Sequence, residues 1–440
     1  MDTSEIVSTK MEQIALNAKR LSDVSFTSLS YHIDMVWLFE ASKAVKRYVA
    51  TGVDNVTAAE YEGNLEQNLK SLLERFKSGK YKAPPVKRVY IPKDAKGKEL
   101  RPLGIPTYED KVLQKAVAWT LEPIYEQDFY DCSYGFRPNR SCHDALKAIW
   151  NGLMRMGGGW IIDLDIRKFF DTIQWEHLQE VIKLRVRDGV LIRVIGKWMN
   201  AGIMEEGNIT YPEEGTPQGG VISPLLANIF LHEVMDKWLN ETVFPLLKGN
   251  AFEVRYADDV VICFENKEDA LRVLKVLPKR LKKYGLEMHQ DKTKIVEFTK
   301  PKEGGKGYQQ KNRPDTFDFL GFTHFWKKSR KGRPVIGKKT IRNRLTRALM
   351  RMNKWCKENR HEKLGLQHEK LCSKIRGHYN YYGVNGNYGM LAKYLLNVER
   401  IWKKWLARRD RKRKLNWEKM KRKILENFPL PRPYIKHSFV

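Results

Sequence analysis

The chain has 440 residues, is 42% hydrophobic and carries a net charge of +29. That apolar fraction suffices for large cores and two to four domains. Cys132, Cys142, Cys263, Cys356 and Cys372 lack C-x-x-C or Cys/His metal spacing and fit reduced thiols better than disulfides or zinc, and no apolar run approaches a membrane span.

In chain order, residues 1–50 read as mixed helix, with Val36-Trp37-Leu38-Phe39 as a small packing face. The first thirty residues contain acids and no long apolar run, so neither a signal peptide nor an import peptide is expected. Tyr61 to Phe76 has the period of an amphipathic helix through Leu65, Leu69, Leu72 and Leu73. Val86 to Lys93 alternates like a strand, Asp94-Ala95-Lys96-Gly97 signals a turn, and Glu99 to Pro106 returns as a second strand. Lys93 and Arg101 thereby fall on the two arms of one hairpin. Lys111 to Tyr125 and Asp144 to Met156 read as helices, with Tyr134-Gly135-Phe136-Arg137-Pro138 between them.

Trp160 to Ile166 reads as a mostly apolar strand carrying Asp163 and Asp165, followed by Arg167-Lys168-Phe169-Phe170-Asp171. Gly215, Gly219 and Gly220 make a permissive loop around Gln218. Ser223-Pro224 then starts a helix, with Ser as cap, Pro in the first turn, and Leu225, Leu226, Ile229 and Phe230 as its buried face. Tyr256-Ala257-Asp258-Asp259 lies between two apolar runs, Phe252 to Arg255 and Val260 to Phe264, and reads as the tip of a hairpin. Carboxylates beside buried strands are costly unless solvated, paired or on a metal. A single Asp in a turn is ordinary turn chemistry. Two such clusters, one at Asp165 and one at Asp258, point instead to divalent ions held between paired strands, the arrangement that clamps oxygens in phosphoryl transfer.

Residues 301–315 read as an exposed loop, and Phe317 to Phe322 as an aromatic turn or short strand. After Phe325 basic helices are expected near 338–358, 366–382 and 389–410. Ile341, Leu345, Leu349, Met352 and Cys356 form one apolar face, and Leu391, Leu395, Val398, Trp402 and Trp405 another. Arg344, Arg347, Arg351 and Lys354 make a basic stripe on the first of these helices. Residues 321–440 carry 34 Lys and Arg against 7 Asp and Glu, nearly all of the net charge. That asymmetry reads as a folded polyanion-binding part appended to an almost neutral one.

Tyr256-Ala257-Asp258-Asp259 with the upstream Asp165-Ile166-Arg167-Lys168-Phe169-Phe170-Asp171 resembles a reverse transcriptase. Gly215-Thr216-Pro217-Gln218-Gly219-Gly220-Val221-Ile222-Ser223-Pro224, Tyr134 to Pro138, Phe317 to Phe322 and Arg376-Gly377-His378-Tyr379-Asn380-Tyr381-Tyr382-Gly383 follow in the order found in group II intron-encoded reverse transcriptases with a maturase segment. The resemblance covers roughly residues 50 to 435. It implies an α+β right-hand polymerase, with an N-terminal extension and start of the fingers over 1–85, fingers and palm over 86–325, and an all-α thumb and maturase domain over 326–440.

By the same resemblance, Asp165, Asp258 and the backbone of Ile166 hold two Mg²⁺ ions, with Mn²⁺ as a substitute, and Asp259 supports the catalytic site. Lys93 and Arg101 bind the triphosphate, Gln218 lies beside the nascent pair, Phe170 gates the sugar, and Lys292 protonates the leaving pyrophosphate. Phe319, Leu320 and Gly321 form the primer grip, and Arg137, Arg344, Arg347 and Arg351 touch nucleic acid. The implied partners are group II intron RNA, an RNA template with a DNA primer, dNTPs and target DNA, in a bacterial cytoplasm. No endonuclease segment is recognised, so the compact class is expected. The alternatives are a domesticated relative serving repair or defence, or an RNA-binding splicing cofactor with little polymerase activity.

Overall fold

The computed structural model describes residues 2–47, 50–92, 100–205, 208–211, 219–301, 315–409 and 415–439. Lys93 and Gln218 lie outside them. The chain is mixed α/β and divides into two compact units. The first comprises Met1–Ile91, Leu100–Ala145 and Ile162–Ile295; the second comprises Pro92–Glu99, Leu146–Ile161 and Val296–Val440.

In the first unit, α1 (Thr3–Arg20), α2 (Met35–Ala44), α3 (Ala58–Glu62) and α4 (Leu65–Lys77) precede a two-stranded segment, β1 (Val86–Pro92) and β2 (Leu100–Ile105), and the long α5 (Tyr108–Asp128). Side-chain caps fix several helix starts: Asp34 accepts from the Trp37 amide at 2.9 Å, Thr57 and Glu60 form a capping box, and Thr107 accepts from the Asp110 amide at 3.2 Å. Helices α1 and α2 both pack on α5, and the fully buried Trp37 donates its indole N–H to the Ala116 carbonyl at 2.9 Å. The expected 61–76 helix is two helices, α3 and α4, because Gly63-Asn64 interrupts the period.

After α6 (Cys142–Met156) come β3 (Gly158–Leu164), α7 (Phe169–Thr172), α8 (Trp175–Lys183), α9 (Gly189–Met199), the short β4 (Ile203–Glu205) and β5 (Asn208–Thr210), and α10 (Ser223–Leu231). Ser223 and Pro224 begin α10, although the capping position itself is Ile222. The helix continues in wide π-type turns through Val243. One four-stranded sheet has the order β2-β1-β4-β5, with β1 parallel to β4 through Val86↔Ile203 and Lys87↔Met204. A second has the order β6-β7-β3-β8, where β6 is Ala251–Tyr256, β7 is Asp259–Phe264 and β8 is Lys294–Thr299. Its share of the first unit includes β6, β7, the last residues of β3 and the first of β8; α11 (Lys267–Lys283) packs on β7.

The second unit contains β9 (Phe317–Phe319), β10 (Phe322–Lys328), β11 (Pro334–Thr340) and the helices α12 (Arg342–Glu358), α13 (Leu364–Tyr382), α14 (Tyr388–Ala407) and α15 (Trp417–Met420). The three long helices match the expected ones, and their apolar stripes meet in one core that includes Leu345, Met352, Leu391, Val398 and Trp402. The expected all-α character of 326–440 does not hold. The end of β10 and all of β11 fall there, paired from Phe322↔Thr340 to Lys328↔Pro334.

The inner face of β11 explains why it escapes a periodicity reading: it is Pro334, Ile336, Lys338 and Thr340, with a lysine where an apolar residue would signal a strand. Lys338 is 1% exposed, and its ammonium sits 3.7 Å from the Phe439 ring centroid and 5.9 Å from that of Trp150. Burial pulls its pKa down from 10.5 to about 7. Its cross-strand partner His324 is fully buried, lies 4.6 Å from Phe317 in a stacked pair, and has no hydrogen-bond partner among the described residues at either ring nitrogen. Burial first, then Lys338, lowers His324 to about 3.

Candidate active site

Strands β6 and β7 pair antiparallel from Ala251↔Phe264 to Tyr256↔Asp259, which leaves Ala257 and Asp258 as a two-residue turn. Ala257 adopts φ +57°, a left-handed conformation that a non-glycine residue keeps only when its surroundings hold it. Gly135 supplies part of that hold: a Cβ there would come within 2.4 Å of the Ala257 nitrogen, so only glycine lets the 133–137 loop lie against the turn. The loop is laced to β6 by Tyr134 N–H to Arg255 O at 2.9 Å and Arg255 N–H to Cys132 O at 2.8 Å.

Asp165 follows directly on β3, the neighbour of β7 in the sheet. Its carbonyl accepts from His289 N–H at 2.9 Å, and Arg167 N–H donates to Glu287 O at 2.8 Å. These two bonds flank Ile166, which pairs with Met288 but takes part in neither. Burial pushes the Asp258 carboxyl up from its ordinary range and Asp165 adds to the push, while Arg101 and Arg255 pull it back. Asp165 and Arg101 thus both act on the Asp258 carboxyl. Lys292 Nζ lies 3.6 Å from Asp165 Oδ1, with both side chains substantially exposed, so this pair alone adds little stability. Asp259 is exposed at the start of β7. Phe170 is half-buried on α7, edge-on to Phe169 at 5.2 Å.

Two other groups of expected residues lie in the second unit. Phe319 ends β9, and Leu320 and Gly321, at φ +46° and +83°, form the two-residue turn to β10. Both central residues with positive φ define the turn that matches strand twist in tight hairpins. Tyr381 Oη donates to Leu320 O at 2.9 Å, and Ile341 N–H donates to Gly321 O at 3.1 Å. Arg344, Arg347 and Arg351 line α12, and all three act on the Tyr382 hydroxyl, whose pKa burial raises and they oppose. The buried Arg347 Nε finds no hydrogen-bond partner among the described residues.

Arg137 is a correction. It was expected on nucleic acid, but it is 6% exposed and its guanidinium grips Glu126 through Nε and Nη2 at 2.9–3.1 Å, with Nη1 on the carbonyls of Tyr130 and Ser133. It shapes the loop behind the turn. Missed by sequence reading were Arg255, Asn228 and Asp236, which form a buried network beneath Ala257. The available signal was the arginine on the strand that reads Phe252 to Arg255, since a charge in a buried strand needs a dedicated partner.

Carboxylates closing the ends of neighbouring strands, with cations beside them, make a site for a metal-assisted reaction on phosphates. A family model described as reverse transcriptase (RNA-dependent DNA polymerase) matches residues 91–324, more than half of the chain. The chain belongs to the reverse transcriptase family. It is 34% identical to protein YkfC of Escherichia coli strain K12 over 333 residues, 67% of this chain and 82% of that one. It is 39% identical to the group II intron-encoded protein LtrA of Lactococcus lactis subsp. cremoris over 234 residues, 52% of this chain and 38% of LtrA. The putative COX1/OXI3 intron 1 protein of Saccharomyces cerevisiae is 26% identical over 439 residues, 84% of this chain and 51% of that protein. Among the described residues no helix is long and apolar enough to cross a membrane.

Proposed function

We propose that this protein is an RNA-directed DNA polymerase encoded by a group II intron, which copies intron RNA into DNA and also binds that RNA as a maturase. The observation that carries the polymerase reading is the placement of Asp165, directly after β3, beside Asp258, in the turn that opens the neighbouring strand β7, with both Asp165 and Arg101 acting on the Asp258 carboxyl. In this reading the β6-β7-β3-β8 sheet is the palm, the β1–β2 segment belongs to the fingers, and α12 to α14 form the thumb.

The donor set fits Mg²⁺, with Mn²⁺ as a substitute: two carboxylates and the Ile166 carbonyl offer hard oxygen ligands and no sulfur or imidazole. When bound, a pair of such ions lowers the charge cost at the attacking and leaving oxygens. The protein supplies the rest by placement. Arg101 binds triphosphate oxygens as a fixed donor fork. Lys292 holds a proton for the departing pyrophosphate. Phe170 stands against the sugar and excludes a 2′-hydroxyl. The hairpin turn at Leu320-Gly321 orients the primer end. Outside the described residues, Lys93 and Gln218 keep their expected roles at the triphosphate and the nascent pair. Positioning and charge neutralisation then account for most of the rate.

The maturase activity rests on the second unit. The basic stripe of α12 neutralises RNA phosphates, with aromatic residues nearby for stacking on unpaired bases. The RNA itself does the splicing chemistry.

The test is primer extension on an RNA template with dNTPs and Mg²⁺, wild type against Asp258→Ala, with RNA binding measured on both. Extension by wild type alone and equal RNA affinity supports both assignments. Extension by the Asp258→Ala protein would overturn the metal site. Equal loss of RNA affinity in that variant would overturn the separation of the two functions.

A further inference from the structure

We infer that Arg255 is the positioning residue of the catalytic turn, and that with Asp236 and Asn228 it fixes where the Asp258 carboxylate stands. The inference rests on the proposed metal site and goes beyond it, because none of the three residues touches substrate or metal in that reading.

Arg255 lies on β6, three residues before Asp258, and is fully buried. Four donor contacts hold its guanidinium. Nε reaches Asp236 Oδ1 at 2.7 Å and Nη2 reaches Asp236 Oδ2 at 2.5 Å. Nη1 donates to Asn228 Oδ1 at 2.9 Å and to the Ala257 carbonyl at 3.2 Å. The last contact is the informative one, because the Ala257 carbonyl belongs to the peptide that leads into Asp258. The guanidinium therefore ties the left-handed residue of the turn to a rigid support.

That support is α10 and its continuation, which carry Asn228 and Asp236. Asn228 is used from both ends: its oxygen accepts from Arg255 and its amide donates to the Gly135 carbonyl at 2.6 Å. Gly135 in turn lies against the Ala257 nitrogen. The turn is thus held on its carbonyl side by Arg255 and on its nitrogen side by Gly135, and Asn228 joins the two clamps.

The charges balance within the cluster. Burial works against the Asp236 charge, yet Arg255 beside it holds that carboxyl below its ordinary range, while burial and Asp236 push Glu253 up to about 8. One cation and one anion face each other, and burial favours the neutral form of Glu253. The fork geometry is what a lysine cannot reproduce: a point ammonium can face Asp236 but cannot also hold Asn228 and the Ala257 carbonyl in fixed directions. Removing groups that orient metal ligands typically lowers metal affinity or activity about 10–100-fold.

Arg255→Lys keeps the charge opposite Asp236, and Asn228→Leu keeps the ion pair while removing the residue that joins the two clamps. Each is purified, checked for folding by circular dichroism and thermal unfolding, and assayed beside wild type and Asp258→Ala. Extension is measured as kcat and as KM for dNTP, and Mn²⁺ binding by electron paramagnetic resonance of the free ion. Folded variants are expected to lose about 10–100-fold in kcat with little change in KM, and to bind Mn²⁺ correspondingly more weakly. Wild-type kcat and Mn²⁺ affinity in the folded Arg255→Lys and Asn228→Leu proteins overturn the inference. So does an activity loss that merely tracks the unfolded fraction and disappears at a lower temperature. If Asp258→Ala also binds Mn²⁺ like wild type, the metal site itself falls, and the positioning role with it.

Discussion

Replacing Lys338 by Met is predicted to stabilise the protein. The amine is 1% exposed on the inner face of β11, and its pKa falls from 10.5 to about 7. That difference corresponds to about 5 kcal/mol against burying the charge. The ring of Phe439 at 3.7 Å offsets part of it, and a desolvated cation–π contact contributes about 2 kcal/mol. A net cost of about 3 kcal/mol remains, which a methionine of similar length and shape avoids. The folded state binds fewer protons than the unfolded one between the two pKa values, so the cost is full below pH of about 7 and absent above about 10.5. Calorimetric unfolding of the full chain from pH 6 to 10.5 should show Lys338→Met melting about 3 °C higher near pH 7, with the gain shrinking as pH rises. A variant that is less stable than wild type at pH 7, or a gain independent of pH, would refute the reasoning.

The neighbouring His324→Phe should be stabilising at neutral pH by about 1–3 kcal/mol, since it removes two buried ring nitrogens that have no partner among the described residues. Because the folded pKa is about 3 against 6.5, wild type loses stability as pH falls from about 6.5 towards 3. That acid limb should be smaller in urea titrations of the phenylalanine variant, and an unchanged limb would count against a buried neutral imidazole. Phe170→Val should raise the ratio of ribonucleotide to deoxynucleotide kcat/KM by about tenfold or more, and an unchanged ratio in primer extension removes Phe170 from the sugar gate. Changing Arg344, Arg347 and Arg351 together to Gln should weaken RNA binding and lower the slope of log affinity against log salt by about 2–3, whereas an unchanged slope means the stripe does not meet phosphate.

Much of the site was legible because its signals are local. Asp165 and Asp258 stand at the ends of apolar runs, and the runs alone specify the strands that place them. The helices α12 and α14 were readable from stripes that recur every three or four residues. What escaped depends on partners distant in sequence. Strands β4 and β5 have three residues each, too few to show a period, and β4 is defined by pairing with Val86, more than a hundred residues earlier. Arg137 looked like a nucleic-acid contact because nothing in its motif reveals that Glu126 closes over it. Arg255 counted as part of an apolar run, while Asp236 and Asn228, which make its burial tolerable, lie 19 and 27 residues away.

The β9–β10 turn is fastened at both of its central residues, Leu320 to the end of α13 through Tyr381, and Gly321 to Ile341, which immediately precedes α12. A pull on Arg344, near the start of α12, is transmitted to Gly321 through a few covalent links and one hydrogen bond. The turn therefore behaves as the short arm of a lever whose long arm is the basic helix. Loading that helix with RNA should quieten the short arm, seen as slower amide exchange at Leu320, Gly321 and Phe322. Nucleic acid held about 15 Å along the helix would then set the resting position of the segment proposed to hold the primer end, with no contact between the two.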